Sequence, residues 1–335
     1  MHKQDNLIYP IVFSSVAVER MWGGDFIKNF LKQQNTNINF NVNNKIGELW
    51  LLSDRKDEQS IVESGALKGL TINELWCKYS KVLFGIDNSN QSTFPLLIKL
   101  IDADDDLSLQ VHPKEEDLAY LENSEAKTEM WYVVDCKSNA EILAGFNDTY
   151  IKQEDNNLSN NTSVINKESF IGALNNTTEL KKMVKCFSAE KGKYFFIPAG
   201  TIHAIGKGNL IFEIQQNSDT TYRVSDWGRV DSTGNSRKLH IEESIKCINF
   251  SNEVVYNGKK ELNNSTILEQ EISPKNSYFK LFFSYLISCS ESDTTNNYKF
   301  LTVIDGSLQI DFNENSYVIP KFATVLLPFG FKYKL

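Results

Sequence analysis

Residues 107–113 read Leu-Ser-Leu-Gln-Val-His-Pro, and the fold turns on how that run alternates. In a β-strand successive side chains face opposite sides. Leu107, Leu109 and Val111 therefore form an apolar row, and Ser108, Gln110 and His112 a polar one. Pro113 stops the strand, because it has no N–H to give to a ladder. A half-buried strand with a hydroxyl, an amide and an imidazole on its polar face is equipped to hold an ion. Gln110 and His112, two residues apart on one face, are the first two candidate ligands.

Two further stretches supply the rest. Lys127–Val134 (KTEMWYVV) is strand-like, with Lys127, Glu129 and Trp131 on one face. Pro198-Ala199-Gly200-Thr201-Ile202-His203 sets a histidine just inside the strand that follows a tight turn. His112, His203, Glu129 and the amide oxygen of Gln110 then make a mixed N, N, O, O set. Such a set suits zinc, and also iron, manganese, cobalt or nickel. The chain has four histidines, so few imidazole sites are open to it. Of the other two, His2 is expected to be disordered and His240 to be structural or helix-capping.

Around this centre the pattern is mainly β. Strands are expected over 7–22, 46–53, 94–101, 127–134, 140–146, 193–197, 202–205, 209–216 and 222–227. Trp22-Gly23-Gly24 marks a turn or a close backbone approach. Helices are expected over 25–34, 70–81, shortly after Pro113, in one or two pieces over 167–186, and just after His240. Thr71 with Glu74 three residues on reads as a capping box. Asn-rich loops occupy 35–44 and 150–166. From about residue 250 the chain becomes short strands and turns, at 279–288, 298–306, 307–312 and 316–328. The metal pattern resembles that of cupins, in which a small barrel supplies ligands from two short motifs. The expected fold is two cupin-type jelly-roll barrels with short helical insertions. Residues 1–245 would form the catalytic metal-binding part and 246–335 a C-terminal cupin-like β part.

The chain has 335 residues, 41% of them hydrophobic and 23% charged, with a formal net charge of −8. That charge argues against nucleic acid as a main partner, since a phosphate-binding face needs clustered Lys and Arg. No apolar run reaches the roughly 20 residues of a membrane helix, and the first residues, MHKQDNLIYP, do not read as a secretory signal. Five scattered cysteines without a C-x-x-C pair read as reduced thiols. A cytoplasmic protein, a monomer or weak homo-oligomer, is expected.

Leu210–Arg229 (LIFEIQQNSDTTYRVSDWGR) is dense in polar side chains. Polar groups so close to a metal-ligating strand are costly unless they meet something polar. One simple reading pairs Glu213 with Arg223 and leaves Gln215 and Gln216 as surface amides.

The set ERMWGG (19–24), IGELW (46–50), LSLQVHP (107–113), KTEMWYVV (127–134), IPAGTIHAIG (197–206), EIQQNSDTTYRVSDWGR (213–229) and KLHIEES (238–244) resembles the type I mannose-6-phosphate isomerases in their short bacterial form. It covers most of residues 1–245, in order. Ala126, in place of a common glycine, and Lys238, in place of a common proline, are departures that touch loops and leave the ligands intact.

The resemblance implies interconversion of mannose 6-phosphate and fructose 6-phosphate, with one zinc ion per chain on Gln110, His112, Glu129 and His203. It also implies a catalytic Arg223, with Lys127, Glu213 and Asp219 in the substrate pocket. An aldose–ketose isomerisation through an enediol needs a base between adjacent carbons and positive charge for the enediolate oxygen. Glu213 or a metal-bound water is the candidate base. Arg223 suits charge stabilisation, since a guanidinium does not readily lose its proton. Lys127 suits phosphate binding or proton transfer; Ser108 either touches the sugar or fills space, and Trp22 and Trp131 either wall the sugar pocket or, the preferred reading, pack in the core. The rival readings are a metal-dependent oxygenase on the same scaffold and a non-catalytic sugar-binding protein.

Overall fold

The computed structural model describes residues 7–34, 44–87, 92–150, 165–231, 233–251, 255–260, 269–286, 291–294 and 297–335. His2 and the 35–43 and 151–164 parts of the expected loops lie outside them. The strands used below are β1 (Val16–Gly24), β2 (Ile46–Leu52), β3 (Leu96–Ala103), β4 (Leu109–Val111), β5 (Glu129–Cys136), β6 (Glu141–Phe146), β7 (Val184–Ser188), β8 (Lys193–Ile197), β9 (His203–Ile205), β10 (Asn209–Gln216), β11 (Tyr222–Ser225), β12 (Asn257–Lys259), β13 (Lys299–Thr302), β14 (Leu308–Phe312), β15 (Asn315–Ile319), β16 (Thr324–Leu327) and β17 (Lys332–Lys334). The helices are α1 (Phe26–Gln33), α2 (Ile72–Lys78), α3 (Lys167–Ala173), α4 (Thr177–Met183) and α5 (Ile241–Cys247). The chain is thus mainly β with a few short helices. Its sheets are open among the described residues, and no closed barrel forms there.

Two compact units emerge, one within 1–19, 27–100 and 261–335 and the other within 20–26 and 101–260. The chain therefore passes between units more than once, where the sequence suggests a single boundary at 245/246. In the first unit, α2 starts with the expected capping box: Glu74 N–H donates to Thr71 Oγ1 at 3.1 Å and Thr71 N–H to Glu74 Oε2 at 3.1 Å. Trp50 donates its indole N–H to Glu48 at 2.6 Å, as their shared strand face requires. A core of Val303, Ile310, Ile319, Val325, Leu327 and Phe331 holds the C-terminal strands together. The expected strand at 316–328 is two strands, β15 and β16, parted by a turn in which Phe322 has φ +59°.

The second unit carries the polar strand. One sheet runs β7-β6-β9-β4-β11, and the other runs β12-β8-β5-β10. The outer face of the first sheet, with Leu109, Val111, Leu143 and Ala204, packs against Phe170 and Ala173 of α3, Leu180 and Met183 of α4 and Cys247 of α5. Between the sheets lies a second apolar cluster: Val133, Ile211, Phe195, Ile142, Ala144, Ile205 and Trp131. Each fully buried side chain of this kind stabilises the fold by about 1.5–3 kcal/mol.

The alternation holds through the strands. Val133, Trp131 and Glu129 share the inward face of β5, and Ile211, Glu213 and Gln215 that of β10. The interior is therefore apolar at one end and polar at the other. Leu107 departs from its row, because the regular strand begins only at Leu109; it packs into the interior with Trp131 instead. Residues 184–186, which the pattern assigns to a helix, belong instead to the edge strand β7. The double glycine is a close approach: a Cβ on Gly24 would sit 2.5 Å from Asp102 Oδ1, and Asp102 Oδ2 accepts from Phe26 N–H at 2.8 Å.

Candidate metal centre and active site

Register brings the candidate ligands together. In the first sheet His203 pairs with Gln110 and Gln110 with Arg223, so these three form one row across β9, β4 and β11. His112 lies on the same face two residues on. In the other sheet Glu129 pairs with Gln215. The turn before His203 depends on Gly200, at φ +86°, and its N–H is fixed by the His112 carbonyl at 2.8 Å.

His112, Glu129 and His203 are each 1% exposed, and their ligand atoms lie within 4.8 Å of one another. Glu129 Oε1 is 3.2 Å from His203 Nε2, and Oε2 is 3.5 Å from His112 Nε2 and 2.9 Å from Lys127 Nζ. Both imidazoles are turned by backbone carbonyls: His112 Nδ1 is 2.8 Å from Thr220 O and His203 Nδ1 is 2.9 Å from Thr201 O. A carbonyl only accepts, so each Nδ1 carries the proton and each Nε2 is turned toward the carboxylate. Burial lowers the His203 pKa to about 4, with the Lys127 charge acting the same way, so this ring is neutral at pH 7. The His203 Nε2 lone pair facing a buried carboxylate sets acceptor against acceptor. That arrangement is unfavourable unless a cation sits among them, and the donor set fits one.

Gln110 stands beside these three. Its Nε2 lies 3.3 Å from His203 Nε2, and its Oε1 accepts from Ser108 Oγ at 3.2 Å. Turning the amide by 180° exchanges the two atoms and presents oxygen to the same space.

The polar run after β10 does something the sequence reading missed. Gln216 Oε1 accepts from Thr128 N–H at 2.8 Å, and Gln216 N–H donates to Thr128 O at 3.1 Å. Gln215 Nε2 donates to Ser218 O at 2.6 Å, and Ser218 Oγ to Glu125 O at 3.0 Å. Glu125 N–H donates to Thr220 Oγ1 at 3.0 Å. These side chains zip the loop carrying Lys127 to the loop whose Thr220 carbonyl orients His112. The dense polar stretch meets its partners in backbone groups.

Residues 12–137 match the family model described as phosphomannose isomerase type I, catalytic domain. Mannose-6-phosphate isomerase ManA of Bacillus subtilis is 35% identical over 330 residues, covering 96% of this chain and 93% of that protein. The chain belongs to the mannose-6-phosphate isomerase family. The Streptococcus mutans mannose-6-phosphate isomerase is 31% identical over 319 residues, 95% of this chain and 92% of that one. A crystal structure of the Bacillus subtilis mannose 6-phosphate isomerase superposes with a TM-score of 0.79 at 28% identity, over 97% of this chain and 96% of that one.

Within this mannose-6-phosphate isomerase family member, the remaining sequence candidates divide. Lys127 is 5% exposed, with its ammonium at Glu129. Glu213 is 2% exposed, and its Oε2 accepts from the Trp131 indole at 2.8 Å. Arg223 is half-buried and donates from Nη1 to Lys238 O at 2.9 Å; it forms no ion pair with Glu213 among the described residues. Burial first, then the nearby Arg237 charge, lowers its pKa. Beside it, buried Asp226 is bracketed by Arg229 at 2.7 Å and by Arg237. Ser108 is buried next to Gln110, and Asp219 is exposed, its N–H 3.2 Å from Glu125 Oε2. Trp22 is 4% exposed and lies within the apolar interior. Thr201 and Thr220 act through carbonyls, which no residue-type signal reveals. No helix among the described residues is long and apolar enough to cross a membrane.

Proposed function

We propose that this chain interconverts mannose 6-phosphate and fructose 6-phosphate, moving a proton between C1 and C2 through an enediol. The observation that carries the reading is the buried acceptor cluster of His112, His203 and Glu129 in a member of this family. Its metal is zinc, one per chain, held by these three residues and by Gln110 through its amide oxygen. Zinc is redox-inert and supplies Lewis acidity toward sugar oxygens when bound.

The protein's own groups do the rest. Glu213, its carboxylate oriented by the Trp131 indole, is the base that takes the proton from one carbon and returns it to the next. Lys127 sits at the floor of the site against Glu129. It therefore serves the sugar oxygens near C1 and C2, holding positive charge where the enediolate forms. Arg223, half-buried, supplies further positive charge to the anionic substrate. Ser108 and Asp219 contact the sugar hydroxyls.

The scaffold reading goes with this proposal: two cupin-type barrels, the catalytic one in 1–245 and the second in 246–335. So do a cytoplasmic location and a monomeric or weakly associated state. Free thiols at Cys77, Cys136, Cys186 and Cys247 support a reducing compartment.

The test is a coupled assay of fructose 6-phosphate formed from mannose 6-phosphate, before and after chelation. Turnover by the zinc-loaded protein that is lost on chelation and regained with zinc is expected. Absence of turnover by metal-replete protein overturns the isomerase reading. Oxygen uptake by iron-loaded protein would favour an oxygenase.

A further inference from the structure

β11 is the edge strand of its sheet, so its outward backbone groups need partners other than a strand. At Arg223 those partners come from one residue. His240 N–H donates to Arg223 O at 2.8 Å, and Arg223 N–H donates to His240 Nδ1 at 3.3 Å. The pair has the form of a two-bond strand ladder in which an imidazole nitrogen replaces a carbonyl. Because the Arg223 N–H and C=O both turn toward His240, the Arg223–Gln110 pair across to β4 is a non-hydrogen-bonded one. Side chains of such pairs lie closer together, which sets the guanidinium beside the ligand row.

The same segment holds the guanidinium itself, through Lys238 O at 2.9 Å. Arg223 Nε is buried without a hydrogen-bond partner, so the group keeps donor capacity for an anion. His240 begins α5 but makes no side-chain cap bond, so capping does not explain its imidazole. The ring stands edge-on to Tyr222 at 6.0 Å. Burial, with Arg223 and Lys238 outweighing Glu243, keeps it below the usual histidine range, so Nδ1 is free to accept.

We infer that His240 is a positioning residue for Arg223, its Nδ1 and backbone N–H clamping the Arg223 backbone so that the guanidinium faces the Gln110 row. This rests on the proposed role of Arg223 in the isomerisation. The fixed geometry matters because a misplacement of about 1 Å in a catalytic site costs on the order of 100-fold in rate.

Zinc-loaded wild type, Arg223→Ala, His240→Ala, His240→Asn and His240→Gln are compared for kcat, KM, zinc content and melting temperature. Asparagine sets an acceptor where Nδ1 sits, whereas glutamine sets one near the Nε2 position. His240→Ala is expected to lower kcat by about 10- to 100-fold with zinc content retained. His240→Asn should recover at least about fivefold over His240→Gln, in line with that same positional sensitivity. A structural role alone would make the two amides alike. Near-normal turnover of Arg223→Ala overturns the role of Arg223 itself. A crippled Arg223→Ala beside a His240→Ala within twofold of wild type overturns the positioning inference alone. So does equal activity of the asparagine and glutamine variants, a comparison that stands even if the alanine variant does not fold.

Discussion

Glu129→Gln is the sharpest perturbation, because it removes one charge and almost no volume. Glu129 is the carboxylate that both imidazoles face, at 3.2 and 3.5 Å, and Lys127 stands 2.9 Å away. Without metal the substitution has opposing effects. Lys127 loses this counter-charge, yet the amide N–H can donate to the His203 lone pair and relieve the facing of acceptors. The metal-free protein should therefore change little.

With metal the effects no longer oppose. Outer-shell changes alone weaken metal binding by roughly 10–100-fold, so loss of a direct carboxylate ligand costs at least the upper figure. At a metal concentration about 1,000 times the wild-type Kd, binding stabilises the wild type by about 4.1 kcal/mol. A Kd raised about 100-fold leaves about 1.4 kcal/mol, a loss of about 2.7 kcal/mol. At roughly 1.4 °C per kcal/mol for a chain of 335 residues, the metal-induced rise in melting temperature shrinks by about 4 °C. Thermal unfolding with and without zinc, alongside a chelator-competition titration, measures both quantities. An undiminished metal-induced rise in Glu129→Gln would refute the ligand assignment.

Other outcomes follow from the same geometry. His203 is neutral when folded, with a pKa of about 4 against 6.5 when unfolded. The unfolded chain therefore binds the extra proton, and metal-free stability is full above pH 6.5 and falls as pH drops from there toward 4, by about 3 kcal/mol in all. Urea midpoints at pH 7 and pH 5 read this out, and a His203→Gln variant should show a flatter profile. Arg223→Ala should lower kcat/KM by about 1,000-fold, near 4 kcal/mol, with zinc content unchanged; parallel loss of zinc would show that the arginine supports the ligands instead. Ser218→Ala removes a bond to Glu125 O and the acceptor for Thr220 N–H. It should lower stability by about 1–2 kcal/mol and weaken zinc binding through the Thr220 carbonyl; an unchanged zinc Kd would detach that loop from the centre.

Much of this was legible because it is local. The Thr71–Glu74 capping box is written in four residues. The polar row of Gln110 and His112 follows from period 2, and the turn before His203 from its glycine. The misreadings arise where tertiary context decides. Residues 184–186 follow a helix without a break in apolar spacing, yet hydrogen-bond to β6 as a strand. Leu107 alternates correctly on paper, but its backbone is not yet extended as strand. The density of polar groups over 210–229 is visible in the sequence, but the backbone partners at 125–128 that Gln216, Ser218 and Thr220 meet are not. The bond from Arg223 to the Lys238 carbonyl leaves no trace in residue type at all.

The interior of the second unit is apolar at one end and polar at the other, and that division separates two kinds of failure. Chelation would loosen the end built on Glu129, His112 and His203, while Val133, Ile211 and Phe195 would still hold the sheets together at the other. If the proposed ion is withdrawn in a cell, a folded, dormant pool ready to be refilled would then remain, in place of debris to be cleared.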